Sequence, residues 1–178
     1  MAPARRPDER VLTNFEDLPG ADGKRHSLSE LAGQRATVLV FTSNGCPTAR
    51  SYEDRLMRLQ RRWRACGVQL VAINSNNPHL SPADTLEEMI RRSAMRCYNF
   101  PYLKDADGAV ARSSRAVCTP HAIVLDGAGT IVYSGRIDDS RTGTTINNRA
   151  REAAVSNVLA GRPVPVQGTE PFGCSIVW

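Results

Sequence analysis

Two uninterrupted apolar, β-branched runs frame this chain, Ala36-Thr-Val-Leu-Val-Phe-Thr42 and Val68-Gln-Leu-Val-Ala-Ile-Asn74. Runs without polar alternation belong to strands covered on both faces. Between them Tyr52, Leu56, Leu59, Trp63 and Cys66 recur at i, i+4, i+7, i+11 and i+14, one stripe of an amphipathic helix. Pro47 suits the first turn of that helix, where its missing N–H costs nothing, and Gly67 ends it. A strand, a helical crossover and a second strand are expected to leave the two strands parallel.

Residues 1–10 read as a disordered tail. Val11–Leu18 reads as a strand followed by a turn, and Ser27-Leu-Ser-Glu-Leu as a short helix capped by Ser27 or Ser29. Further on, Ser75–Leu80 reads as a loop. Ser81-Pro-Ala-Asp84 resembles the capped start of a helix that puts Leu86, Met89 and Ile90 on one face. Residues 102–108 are turn-rich, and Ala109–Val117 can make one short helix. His121–Asp126 and Thr130–Gly135, joined by Gly-Ala-Gly, read as a β-hairpin, and Thr144–Leu159 as a last helix. The order β-α-β-α-β-β-α predicts an α/β fold, a central mixed sheet with helices on both faces and an N-terminal β extension. A chain of 178 residues fits one domain, here 11–165, large enough to bury a core without metal or disulfide. In the tail, 166–178, apolar Ile176, Val177 and Trp178 are expected to dock on that domain.

The charged, Pro-containing N-terminal stretch has no apolar segment behind it, which points to a cytoplasmic location. Reducing conditions there would make the five cysteines catalytic, metal-binding or buried rather than a disulfide framework. No apolar run approaches the roughly 18 residues of a membrane span. The net charge of +5 comes from basic residues scattered along the chain, only Lys24 and Lys104 being lysine. Without a basic stripe interleaved with aromatics, nucleic acid is not an expected partner.

In open α/β sheets, sites form in the loops at the carboxyl edge of the parallel strands. Cys46 follows the first such strand and His79 the second. The strand starting at His121 should run antiparallel to both, which brings Cys118, Thr119, Pro120 and His121 to the same edge. At a helix N-terminus, Cys46 meets free N–H groups and the positive end of the dipole, which lower a thiol pKa. That property serves a nucleophile and a soft-metal ligand alike. Cys66, about 30 Å along the helix at 1.5 Å per residue, is expected in the core, and Cys97 is expected to be structural. Cys174 reads either as a resolving thiol or as part of a tethered end. Arg136, Asp138 and Asp139 are expected to form surface ion pairs.

A strand, a cysteine at a helix start and a later Thr-Pro resemble the thioredoxin-like superfamily, and within it the redoxin or peroxiredoxin-like, AhpC/TSA-type branch. The resemblance covers roughly 11–178 and rests on Ser43-Asn-Gly-Cys-Pro47, Tyr52-Glu-Asp-Arg-Leu56, Ala72-Ile-Asn-Ser-Asn76, Val117-Cys-Thr-Pro120, Gly135-Arg-Ile-Asp-Asp139 and Gly173-Cys-Ser-Ile-Val-Trp178. It implies a thioredoxin-like fold, a cis peptide before Pro120 beside Cys46, and a thiol or disulfide substrate, a protein among the candidates. The sequence departs from the pattern in four places. Ala49 stands where a thioredoxin carries its second cysteine, and Ser43 where the branch carries an earlier one. Of the peroxiredoxin pattern, Ser43 fits but Leu39 replaces the proline and the peroxidase arginine is missing. The resemblance therefore implies a Cys46 thiolate that attacks a disulfide or peroxide, resolved by Cys118, Cys174 or an external thiol, with no cofactor required. Copper proteins of the same superfamily suggest an alternative, Cu(I) held by Cys46 and Cys118 with His121 or His79, although Thr42 stands where their second loop cysteine would be.

Overall fold

In the computed structural model, which describes residues 14–178, the two apolar runs become β3 (Ala36–Phe41) and β4 (Val68–Asn74). Before them come β1 (Leu18–Pro19), β2 (Arg25–His26) and α1 (Leu28–Leu31), with Ser27 at the N-cap and Glu30 accepting its N–H at 3.0 Å. After β3 follow α2 (Pro47–Arg50) and α3 (Glu53–Arg64), and after β4 come α4 (Leu86–Arg96), β5 (Tyr102–Lys104), α5 (Ala109–Ser113) and β6 (Cys118–Thr119). The chain closes with β7 (His121–Asp126), β8 (Ile131–Gly135), α6 (Ala150–Leu159) and β9 (Cys174–Ser175). The main sheet has the order β5-β4-β3-β7-β8, with β3, β4 and β5 parallel and β7 and β8 antiparallel to their neighbours.

Alternation along β3 divides the core into two layers. Ala36, Val38 and Val40 pack under α3, α4 and α6 with Leu56, Leu59, Trp63, Met89 and Val155. Leu39 and Phe41 face the other way, onto Leu28, Val110, Ala111 and Ile176. Each fully buried Leu, Ile or Phe contributes about 1.5–3 kcal/mol, so this two-sided burial is what fixes the register of β3 between β4 and β7.

Several expectations are corrected in detail. The helix expected from Pro47 without a break is two helices. The Ser51 hydroxyl donates to the carbonyls of Thr48 (2.7 Å) and Arg141 (2.8 Å), and such back-bonding competes with the helical ladder. Asp84 does not open a helix; Thr85 caps α4, and a short 3-10 turn at Pro82–Asp84 turns the Asp84 carboxylate inward. Residues 102–104, read as turn, are the edge strand β5. The helix from Ala109 stops at Ser113 because Arg115 adopts a left-handed φ of 55°. The last helix starts at Ala150 rather than Thr144. Asp139 accepts the Asn147 N–H (2.9 Å) and Asn148 that of Ala150 (2.9 Å), which holds the preceding segment out of the helix.

The expected tail 1–10, and the first three residues of the strand expected at 11–18, lie outside the described residues. The rest of that segment makes only the β1 pairing at Leu18, while Phe15 is buried by packing. Cys66 lies one turn too far along the stripe and is exposed, as is Cys97, the left-handed cap of α4. Asp138, expected in a surface ion pair, is instead buried, accepting both contacts of Arg55 Nη1 (2.9 Å each) and the Tyr52 hydroxyl (3.0 Å). No helix among the described residues is long and apolar enough to cross a membrane.

Candidate active site

Register places the chemistry. Phe41, the last residue of β3, pairs with His121, the first of β7, so the segment just before β7 meets the segment just after β3. Cys46 caps α2, and Ala49 N–H donates to its sulfur at 3.3 Å. The Thr119–Pro120 peptide is cis, and the Thr119 carbonyl accepts the Cys46 thiol proton at 3.2 Å. The sulfur is almost enclosed, Cys46 being 2% exposed.

The cover over it is the C-terminal segment, which docks as expected. Strand β9 pairs antiparallel with β6, setting Thr119 opposite Cys174 and Cys118 opposite Ser175. Cys174 thereby shares Thr119's side of this small ladder, and its thiol and N–H stabilise the ionised form of Cys46. Burial opposes ionisation of Cys46. Those two donors, the Thr119 side chain and Ala49 N–H outweigh it and hold the Cys46 thiol below its ordinary value. The expected direction of shift is therefore seen. Its source is a set of discrete donors around the sulfur, because α2 is a single turn rather than the start of a long dipole.

Two further thiols move the opposite way. Cys118 is pushed up to about 11 by burial, then by the charge of Cys46 and Glu170. Its thiol points to the Pro120 carbonyl at 3.9 Å. Cys174 is also pushed up to about 11, by burial and by its hydrogen bond and charge coupling to Cys46. One thiol shifted toward ionisation beside two shifted away from it is the resulting pattern.

The residues expected as metal partners are engaged elsewhere. The His121 Nδ1 accepts Val117 N–H (3.3 Å) and its Nε2 contacts the Ser134 hydroxyl (2.9 Å). His79 stands on an exposed turn. Among the described residues, no group of three His, Cys, Asp or Glu side chains is arranged to hold a metal.

Beneath Cys46 lies a polar cluster that the sequence reading missed. Asp84, fully buried, accepts from the Ser43 hydroxyl (2.9 Å), Asn44 N–H (2.7 Å), the amides of Asn74 (2.7 Å) and Asn76 (2.8 Å), and the Ser81 hydroxyl (2.6 Å). Tyr102 joins Asn44 to Asn74 through its hydroxyl. Lys104 donates to Asn74 Oδ1 (3.2 Å) and to the Asn76 carbonyl, and burial pulls its ammonium down to about 8 against the pull of Asp84 and Asp105. Ser43 is therefore committed to Asp84 and is a floor residue of the Cys46 loop. The available signal was the polar run Asn74-Ser-Asn-Asn directly after a buried strand, whose amides need buried partners.

Gly173 is what lets the tail lie this close. With φ at 153°, a Cβ there would stand 1.9 Å from the Thr119 carbonyl oxygen. Gly173→Ala is expected to lift the tail off Cys46, which is buried beneath it, raising the alkylation rate of Cys46 in the native protein roughly tenfold with the thermal transition still cooperative. Unchanged labelling of Cys46, read by peptide mass mapping, would show that docking does not need this approach.

The sequence matches the AhpC/TSA family over residues 11–134. An uncharacterized conserved protein from Geobacillus kaustophilus is similar at 35% identity and a TM-score of 0.86, covering 96% of this chain and 94% of that one. A hypothetical protein from Sinorhizobium meliloti 1021 is similar at 33% identity and a TM-score of 0.85, covering 96% of each. Peroxidoxin BcpB from Mycobacterium tuberculosis shares the fold at 19% identity and a TM-score of 0.62, covering 84% of this chain and 92% of that one. Among curated proteins, none matches. A thioredoxin-like α/β fold, a cysteine at a helix start facing a Thr-Pro turn, and a match spanning most of the sequence lead to one conclusion: the chain belongs to the AhpC/TSA family of thioredoxin-like redoxins.

Proposed function

We propose that this protein is a thiol–disulfide oxidoreductase whose redox pair is Cys46 and Cys174. The observation that carries the reading is the β6–β9 register, which sets Cys174 opposite Thr119, whose carbonyl meets the Cys46 thiol, so that a cysteine with a lowered pKa is coupled to one with a raised pKa. The Cys46 thiolate attacks one sulfur of a substrate disulfide RS–SR′, forming Cys46–S–S–R and releasing R′S⁻. That step removes the negative charge on Cys46 that had held Cys174 protonated. Cys174 then attacks the Cys46 sulfur, its proton passing to the departing RS⁻. The products are RSH, R′S⁻, which takes a proton from water, and a Cys46–Cys174 disulfide, a two-electron exchange that an external thiol reverses.

Cys118 is the weaker candidate for resolution. It lies opposite Ser175 rather than Cys174 in the ladder, and its thiol is turned to Pro120. Peroxide is the weaker candidate for oxidant, because the Ser43 hydroxyl that would present it is bonded to Asp84.

Oxidation with a small disulfide, followed by non-reducing peptide mapping, is expected to give a Cys46–Cys174 cross-linked peptide. The rate of the first step should follow the thiolate fraction, with its pH midpoint below the ordinary thiol range. Cys174→Ala removes a donor to the Cys46 sulfur and is expected to move that midpoint up. Absence of the cross-link together with an unmoved midpoint would refute the proposal.

A further inference from the structure

We infer that Asn76 is a positioning residue that holds the resolving tail and the nucleophile loop in one frame, an inference that rests on the Cys46–Cys174 reading above. Its side-chain amide donates to Asp84 Oδ2 (2.8 Å) and to the Ser43 hydroxyl (3.1 Å), three residues before Cys46. Its side-chain oxygen accepts the N–H of Val177 (2.9 Å), three residues after Cys174. One planar amide thus spans the two segments that must exchange a sulfur bond. Asn76 is itself 5% exposed, so neither contact has water as a ready substitute.

The rest of the tail shows why a single residue matters. From Cys174 to Ile176 the chain is pinned by the β6–β9 pairing and by Ile176 N–H on the Val117 carbonyl (3.2 Å). One residue further, Asn77 N–H donates to the Val177 carbonyl (2.7 Å), beside the Asn76 contact. Ile176 is buried with Phe41, Ile73 and Val110, and Arg112 stacks on the Trp178 ring at 4.5 Å. Ile176 and Trp178 give the tail affinity for the domain without fixing its position along the Cys46 loop, since apolar contact is not directional. The Asn76 amide is directional, and its other end is bonded to the floor of that loop. Effective concentration in an intramolecular exchange depends on such alignment, and loss of it by about an ångström costs orders of magnitude in rate.

Asn76 acts chiefly on the second step. Attack of Cys46 on RS–SR′ needs the thiolate, whose donors are Ala49, Thr119 and Cys174. Closure, in which the Cys46–S–S–R bond breaks and the Cys46–Cys174 bond forms with release of RS⁻, needs Cys174 in line.

The test uses the full chain carrying Cys66→Ser and Cys97→Ser, mixed with cystamine, quenched in acid at intervals and weighed intact. The parent should pass rapidly through the cysteamine adduct on Cys46 to the internal disulfide. Asn76→Ala is expected to accumulate the adduct, closing at least tenfold more slowly while adduct formation changes less than threefold. Val177→Pro removes the tail N–H that Asn76 accepts and leaves the Asn76–Asp84 contact, and it should slow closure similarly. The double variant should be no slower than the worse single one, because both cut the same link. If the parent forms no internal disulfide, the functional reading fails. If the parent closes and both single variants close as fast as it does, the reading stands and the role given to Asn76 is wrong.

Discussion

Cys46→Ser is expected to lower disulfide-exchange turnover by on the order of a thousandfold or more and to eliminate the internal disulfide. The serine hydroxyl keeps the hydrogen-bond geometry, since Ala49 N–H can still donate to it and the Thr119 carbonyl can still accept. What it cannot keep is the ionised state. The donors that hold the Cys46 thiol below its ordinary value act on a group already close to physiological pH, and the same donors leave an alkoxide many units out of reach. Stability should change by less than about 1 kcal/mol, because volume and hydrogen bonds are retained. A melting curve close to that of the parent beside lost exchange activity separates chemistry from folding. More than about one per cent residual turnover with a small disulfide would mean that another thiol is the nucleophile. Cys66→Ser makes the comparison variant, since that side chain is exposed and lies past the far end of α3.

The sequence was most legible where burial is periodic. The strands β3, β4, β7 and β8 and the stripe Tyr52, Leu56, Leu59, Trp63 follow from spacing alone, because each position is decided by which face meets the core. From them follows the antiparallel run of β7, and hence the meeting of Cys46 with Thr119 and Pro120. Elements fixed by a few hydrogen bonds were read less well. Strand β5 is three residues in a turn-like stretch, and its place depends on pairing with Ala72, Ile73 and Asn74 rather than on its own pattern. The short β6 and β9 ladder depends on a contact between residues more than fifty positions apart, which no local signal announces. Cys174 could therefore be named as a candidate, but only the tertiary pairing separates it from Cys118. The inward turn of Asp84 was hidden for a related reason. Ser-Pro-Ala-Asp is a good helix start, and the residues that draw the carboxylate inward, Ser43, Asn74 and Asn76, come from the loop after β3, the end of β4 and the loop that follows it.

That same carboxylate should produce the largest stability effect in the chain. Asp84→Ala leaves five donors on Ser43, Asn44, Asn74, Asn76 and Ser81 without their acceptor in a site closed to solvent. Each orphaned donor costs about 1–3 kcal/mol, and with local relaxation the expected total is about 4–5 kcal/mol, a large part of a domain's 5–15 kcal/mol. Asp84→Asn keeps one oxygen but sets an NH₂ against donors, for an expected loss of about 2–3 kcal/mol. The pH dependence tells a lost charge from lost packing. Burial pushes the Asp84 carboxyl up, yet hydrogen bonds from Asn76, Ser81, Asn74 and Ser43 outweigh it and hold it below the usual aspartate range. A carboxyl with its folded pKa below its unfolded one adds stability that is complete above the unfolded value and disappears as pH falls through the folded one. Urea midpoints of the parent should therefore decline in that acid window, and those of Asp84→Asn should decline less steeply. Equal acid slopes would show that the carboxylate is not ionised in the folded protein. Because Ser43, Asn44 and Asn76 hang from this one group, the Cys46 loop and the tail contact at Val177 should loosen together in Asp84→Asn, which faster hydrogen exchange at Asn44 and Val177 would report.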